Sequence, residues 1–377
     1  MASFLLSLPI AFIGLVALKC LYNVYFHPLR SYPGPIAARA SFLPYQCKLL
    51  RGRVHLWVRE LHKKYGPVVR LSPNELSFIE PEVWKDVYGH RASAFTKSTT
   101  FYGPDAYGTP VGILRADNVS HARQRKTVSH AFSDKALKDQ EDLLKRHVGL
   151  LVEKLKGVAA GQLRANIVEW YNFTTFDIMA DLTFGESLNQ LSDASYHPWV
   201  WAIFSHIKMI ALSRVSREWP GLSHLFRAIL PKDAKEKQKQ HLRFSSDLLD
   251  KRMARKPEQP DIWSFVTRNA GQEEALHPTE LYSNGMQYSI CNRIIQADIT
   301  IGALFMLAGT ETTATLLSGL TYMLLKDPDR MKRLSDEVRS SFPSDGNMGM
   351  FGLSRLEYLG ACIEEGLRLY PPVALQA

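Results

Sequence analysis

The chain contains 377 residues with a formal net charge of +9, and 46% of them are hydrophobic, which is enough to bury a substantial core. No linker rich in glycine, serine or acidic residues divides the chain, so we expect one large, mainly helical domain. Four scattered cysteines without Cys-x-x-Cys spacing, and the lack of a His-Glu-x-x-His motif or a phosphate-binding glycine loop, exclude a disulfide framework, a zinc site of usual spacing and a P-loop.

The first 26 residues, 1–26, predict a single transmembrane anchor. Phe4–Leu18 is apolar apart from one serine, Lys19 is the first charge, and the segment through Phe26 reaches the ~20 residues needed to span a bilayer. A cleaved signal peptide is the competing interpretation, but it requires a basic N-terminal region that Met1–Ser3 lacks. Because the cations follow the span, we expect the rest of the chain on the cytosolic side.

A proline-rich segment, residues 27–36, follows the predicted anchor. Prolines at this density forbid a helix and stiffen the chain. We therefore expect a stiff proline-rich hinge segment here, between the anchor and a folded domain over residues 37–377.

A small sheet is predicted near the start of this domain. An amphipathic helix over Val54–Tyr65 precedes two strands, Val68–Leu71 and Glu75–Ile79, which flank a Ser-Pro-Asn turn signal. Another helix is expected over Glu82–Tyr88. With helical patterns through the rest of the chain, the fold class is mainly α with a small β-sheet (α+β).

A pair of cations begins the next predicted helix, which follows a glycine- and proline-rich loop over Phe101–Pro110. His121 and Arg125 lie at i and i+4, a spacing that lets them grip two carboxylates of one ligand. The alternative is an exposed basic helix start. Helix after helix is then expected from Leu143 to Phe265.

Basic residues gather in two runs, Lys232–Arg243 and Lys251–Lys256. No aromatic residues interleave them in a base-stacking pattern, so nucleic-acid binding is the weaker interpretation. Most such runs are solvated helix faces. A basic face also suits an anionic membrane leaflet or an acidic partner.

A polar stretch, Ala308–Thr313, interrupts the long apolar run from Ile301 to Leu324. A glycine there costs about 1 kcal/mol relative to alanine, and an unpaired buried acid costs several kcal/mol more. The functional interpretation is an opened helix turn, in which Gly309 lets a flat ligand approach and Glu311 and Thr312 carry protons. The milder interpretation is a threonine that bonds back to a carbonyl and bends the helix. The combination of glycine, acid and alcohol favours function.

A second cluster follows in a predicted helix that two prolines end, Pro371 and Pro372. Glu365 and Arg368 lie at i and i+3 and face the same side of that helix, so they can pair.

The order of these motifs, a Gly-acid-Thr helix and then Glu-x-x-Arg-x-x-Pro-Pro, resembles the cytochrome P-450 monooxygenases, specifically the membrane-bound fungal type of secondary metabolism. The resemblance extends over Tyr25–Val373 and implies a cytochrome P-450 fold. It implies haem as the cofactor and an oxygen-activation stretch in the central helix. It also implies specific roles for eight residues: proton delivery by Glu311 and Thr312, haem contact by Ala308 and Gly309, propionate binding by His121 and Arg125, and a buried structural pair of Glu365 and Arg368.

One of these assignments departs from the family, which usually has tryptophan where this chain has His121. The resemblance further implies NADPH-cytochrome P-450 reductase as the electron donor and an apolar small molecule as the substrate, of the kind found among terpenoid or polyketide intermediates. It implies a single-pass protein of the endoplasmic reticulum with a cytosolic catalytic domain.

The family's haem-binding cysteine loop is a second departure. It normally follows Glu-x-x-Arg by several tens of residues, whereas nine residues follow Arg368 and none is cysteine. Cys362 precedes Arg368 inside the predicted helix, so we assign no metal ligand in this chain. We expect a fold without its C-terminal haem-thiolate part, and the alternative function is an inactive, truncated or mis-spliced remnant.

An insertion is the last departure. Family members run from Glu-Leu-x-Ser-Asn almost directly into the apolar helix, whereas Asn284 is separated from Ala303 here. Residues 285–301 mix polar and apolar side chains without a helical face, so we interpret them as a translated intron or a similar insertion. The competing interpretation is a genuine surface insertion with its own partner.

Overall fold

The computed structural model describes residues 2–89, 95–102, 112–219, 240, 243–244, 247–255, 261–266, 301–344 and 348–373. Most of them are helical, and two strands form a small sheet, which confirms the predicted class. The chain divides into two compact units. The N-terminal unit comprises Met1–Phe101, Met209–Phe226 and Ala377, and the helical unit comprises Tyr102–Lys208 and Arg227–Gln376.

The N-terminal unit is built around the two-stranded sheet. Strands Val68–Ser72 and Glu75–Phe78 pair antiparallel, with Val69 opposite Ser77. His62 links the helix Val54–Tyr65 to this sheet, because its Nδ1 donates to the Gly66 carbonyl and its Nε2 hydrogen bonds to the Ser77 hydroxyl, each at 2.8 Å. The helices of this unit span Ala2–Tyr25, Ile36–Ala40, Leu43–Leu50, Val54–Tyr65 and Glu82–Tyr88.

Two helices contain residues of both units, Thr99–Tyr102 and Pro198–Arg217. The remaining described helices belong to the helical unit. They span Asn118–Ser129, Asp134–Asp139, Glu141–Ala160, Ile167–Phe184, Gln190–Asp193, Ile262–Val266, Ile301–Lys326, Pro328–Ser341, Met350–Leu353 and Glu357–Leu369, with a 3-10 turn at His130–Phe132.

The helical unit is organised around the central helix, Ile301–Lys326, which packs along the companion helix, Ile167–Phe184. Their contact buries Phe176 and Met306 completely. The central helix also contacts Glu357–Leu369, as expected for an apolar helix with little exposed face.

The basic run beginning at Lys251 contains a buried residue, which corrects its interpretation as a solvated face. Arg252 is 4% exposed and donates through Nη2 to Asp261 Oδ1 at 2.7 Å, and its Nε also donates to that carboxylate. A buried guanidinium is tolerated here because the bidentate carboxylate neutralises it.

In the part of the chain that the structure describes, no helix is long and apolar enough to cross a membrane. The predicted transmembrane helix over 1–26 is therefore unsupported; the side chains of its first nine residues lie outside the described part. The predicted insertion at 285–301 also lies outside the described residues, except for Ile301, which begins the central helix.

Candidate active site

Two threonines of the central helix, Thr310 and Thr312, bond back to carbonyls one turn earlier. Thr310 donates to the Met306 carbonyl at 2.5 Å, and Thr312 donates to the Ala308 carbonyl. The hydroxyl of Thr312 therefore makes the hydrogen bond expected of a threonine that bonds back to a helix carbonyl, which is the milder interpretation of this residue. The two residues differ in surroundings, since Thr310 is fully buried whereas Thr312 is half-buried one turn beyond the exposed Ala308.

Gly309 contacts the companion helix. A Cβ at this position would lie 2.5 Å from Met179 Sδ and 2.8 Å from Met179 Cε. The space that glycine leaves is filled by a side chain of the protein, so on this face its small size serves helix packing. The approach of a flat ligand at Gly309 stays a prediction. The accessible position of this turn is Ala308.

Glu311 is a half-buried acid in the same turn. Its Oε2 is shielded from solvent and has no hydrogen-bond partner among the described residues, and burial raises its pKa above the ordinary value. Glu311 also acts on Tyr196. The pKa of Tyr196 is raised first by burial, and to a lesser degree by the charges of Glu169 and Glu311. The Tyr196 hydroxyl accepts from Asn172 Nδ2 at 3.2 Å on the companion helix. A carboxyl group with these properties holds a proton more readily than an exposed one.

The helix that carries the two predicted propionate ligands begins at Asn118. Asp117 caps it by accepting from the backbone N–H groups of Val119 at 2.9 Å and Ser120 at 3.0 Å, which moves its start ahead of the predicted one. His121 is half-buried and Arg125 is exposed. Within the described ranges, no carboxylate pairs with Arg125, so its guanidinium is open to an anionic ligand.

An aromatic contact connects this segment to the central helix. The 3-10 turn that follows Ser129 ends at Phe132, whose ring lies 5.9 Å from the ring of Phe305 in an edge-on arrangement. Phe305 precedes Ala308 by one helical turn. The fold thus packs the turn that follows the predicted cationic segment against the central helix, one turn before the predicted oxygen-activation stretch, through two phenylalanines that no motif singled out.

Glu365 and Arg368 form the pair that their spacing predicts. Arg368 Nε and Nη2 donate to the two carboxylate oxygens at 2.6 and 2.7 Å. The pair differs from expectation in burial, because the side chains are 54% and 67% exposed. It lies at the end of a helix of which only Gly366 is buried.

Glycines seat this last helix on the central helix. A Cβ at Gly366 would meet Leu316 at 3.2 Å, and one at Gly319 would meet the Tyr370 ring at 2.4 Å. Sequence reasoning missed these contacts and Met179, because nothing in a local pattern indicates which glycine faces another helix.

Comparisons with known proteins show the family of this chain. The chain matches the family model Cytochrome P450 over residues 35–377. It is 45% identical over 360 residues to the cytochrome P450 monooxygenase efuB of Hormonema carpetanum, covering 94% of this chain and 68% of that protein. It is 39% identical over 367 residues to the cytochrome P450 monooxygenase rdc4 of Metacordyceps chlamydosporia, covering 96% and 71%. It is 37% identical over 361 residues to the cytochrome P450 monooxygenase lcsI of Purpureocillium lilacinum, covering 94% and 66%.

The chain therefore belongs to the cytochrome P450 family. It spans about two thirds of the length of the curated relatives it matches.

The residues present fit the periphery of the haem that this family implies. The open guanidinium of Arg125 offers the charged donors that a propionate carboxylate requires. Ala308 leaves a small side chain on the exposed side of the central helix. No described residue is assigned as the iron ligand: Cys362 lies within a helix, and burial followed by the charge of Glu337 raises the pKa of its thiol, which disfavours a thiolate.

Proposed function

We propose that this protein is a haem-dependent monooxygenase that inserts one oxygen atom into an apolar small molecule. A terpenoid or polyketide intermediate of fungal secondary metabolism is the proposed substrate class, and NADPH-cytochrome P450 reductase is the proposed electron donor. Family membership supports the reaction type. The position of Glu311 and Thr312 next to the exposed Ala308 in the central helix supports the location of the site.

The half-buried Glu311 carboxyl carries this proposal. An acid whose Oε2 has no partner among the described residues weakens the fold, so its presence in the central helix favours a chemical role. Haem, when bound, supplies the iron centre at which dioxygen is reduced. Glu311 holds a proton at its carboxyl group, and the hydroxyl of Thr312 passes a proton towards the open side of the helix.

The cationic segment has a binding role in this proposal. Arg125 holds a propionate by charge-assisted hydrogen bonds, and His121, one turn earlier, assists it. Ala308 leaves room beside the ring. Gly309 acts indirectly, since it allows Met179 to fix the position of the helix.

The proposed location is the endoplasmic reticulum membrane, with the folded domain in the cytosol. The support is the apolar surface of the first helix, where the aliphatic and phenylalanine side chains that are more than 60% exposed include Ile10, Phe12, Ile13, Leu15 and Leu18. Exposed apolar area of this kind favours contact with lipid. Recovery of the intact protein in the high-speed supernatant without detergent would contradict this location.

Matched threonine variants test the proton-transfer role. Thr312→Val and Thr310→Val each remove a hydroxyl that bonds to a carbonyl one turn earlier, so both perturb the helix alike. We expect Thr312→Val to lower the product formed per NADPH consumed by the intact enzyme with its reductase, because loss of the hydroxyl slows proton transfer by about 10²-fold or more. Thr310→Val should retain the parent ratio. Equal ratios for the two variants would refute the proposed role of Thr312.

A further inference from the structure

Arg70 is a fully buried arginine in the first strand of the N-terminal unit, with 0% of its surface exposed. Its Nε and Nη2 donate to the Pro73 carbonyl at 3.1 and 2.8 Å, across the turn between the strands. Its Nη1 donates to the carbonyls of Asn23 at 3.0 Å and Leu29 at 3.3 Å. Among the described residues no carboxylate neutralises it, so carbonyl dipoles alone stabilise this buried charge.

One of those carbonyls belongs to the last turn of the first helix, Ala2–Tyr25. The last four carbonyls of a helix lack partners within it, and a cation near them also interacts favourably with the helix dipole. Here arginines satisfy three of the four: Arg70 binds Asn23, Arg39 binds Val24 at 3.2 Å, and Arg30 binds Tyr25 at 3.4 Å. The fourth carbonyl accepts backbone N–H groups that follow the helix.

The proline-rich segment 27–36 is also fastened to the strand. The backbone N–H of Arg70 donates to the Pro33 carbonyl at 2.7 Å. Gly34 lies so close that a Cβ there would be 2.4 Å from the Arg70 carbonyl oxygen. His27 hydrogen bonds to Asn74 in the turn between the strands at 3.0 Å. Contacts at the start and end of the segment therefore hold it against the sheet.

We infer that Arg70 is a positioning residue that holds the first helix in a fixed position against the sheet. Residues 27–36 then form a rigid joint. When the helix binds lipid, the N-terminal unit is held in a single orientation relative to that lipid. The inference deepens the membrane attachment proposed above. In this inference the buried guanidinium of Arg70 fixes the orientation of the first helix relative to the sheet, whereas the prolines alone would only stiffen the connection.

Distances between spin labels on the helix and on the unit test this inference. Labels at Leu18→Cys and Arg59→Cys, in the full chain with the four native cysteines replaced by alanine, report the joint in lipid nanodiscs. Both sites are exposed, at 63% for Leu18 and 67% for the Arg59 side chain. We expect one narrow distance population, and Arg70→Met should abolish it. Arg51→Met removes an exposed arginine of the same unit and should leave it unchanged.

A second variant keeps the test decisive if Arg70→Met fails to fold. Gly34→Ala obstructs the same contact from the segment side, and it should also abolish the narrow population. A broad distribution in the parent protein, or a narrow one retained in each variant that folds, would overturn the inference. Flotation of the parent with phospholipid vesicles is scored separately, so that failed lipid binding with a narrow distribution would reject the membrane proposal and leave the rigid joint intact.

Discussion

Replacement of Gly309 by alanine tests whether this glycine serves the packing of two helices. The added Cβ would lie 2.5 Å from Met179 Sδ, well inside van der Waals contact. Overpacking of this kind costs about 1–3 kcal/mol, whereas alanine gains about 1 kcal/mol of helix propensity over glycine. The two effects together leave Gly309→Ala about 0–2 kcal/mol less stable than the parent protein.

A double-mutant cycle with Met179→Ala isolates the contact. Without the methionine, Gly309→Ala should stabilise the protein by about 1 kcal/mol, which gives a coupling of about 1–3 kcal/mol. Midpoints of urea unfolding at unchanged slope measure these values. Gly149→Ala is the matched control, because this helical glycine has nothing within 4 Å of its Cβ position. If Gly309→Ala stabilised the parent as much as Gly149→Ala does, the packing argument would be refuted.

Three further predictions concern charged groups. Burial raises the pKa of Glu311 in the folded protein above its ordinary value of 4.5. The folded state therefore loses stability as pH rises from 4.5 towards the raised pKa, because the carboxyl ionises less readily there than in the unfolded chain. Glu311→Gln should therefore raise the urea midpoint at neutral pH and lose this advantage below pH 4.5; a difference that does not change with pH would contradict the assignment. Arg252→Met or Asp261→Asn leaves a buried partner uncompensated and should each cost about 3–5 kcal/mol in urea unfolding, with a smaller combined cost than the sum. Glu365→Gln breaks an exposed ion pair between the same two kinds of group, and it should leave the urea midpoint of this chain unchanged. A large decrease in that midpoint would contradict this expectation and show that Arg368 needs the Glu365 carboxylate for stability.

Local patterns sufficed for many element boundaries. The helix Val54–Tyr65 and the helix Glu82–Tyr88 agree with prediction, and the predicted strands agree within a residue at each end. Glycine and proline determine these limits through backbone restrictions of a few neighbouring residues, which the sequence records directly. The spacing of Glu365 and Arg368 likewise sufficed to predict their pairing, since helix geometry places i and i+3 together.

Contacts between distant segments could not be predicted from the sequence. Nothing in the local pattern indicates that Gly309 contacts another helix, and only the position of the companion helix places Met179 against it. Arg252 was interpreted as part of a solvated run, and only the fold places Asp261 against it. In each case burial depends on what a separate element brings to the residue.

The amino-acid sequence by itself determined the family, the order of the motifs and the small sheet, because these follow from residue identity and local spacing. The tertiary structure decided which face of the central helix is packed and which is accessible. It also decided that Phe132 and Phe305 join the cationic segment to that helix, and that Arg70 closes the end of the first helix. These features arise from contacts between residues far apart in the chain, whose free energies depend on burial and distance and therefore exist only once the chain has folded.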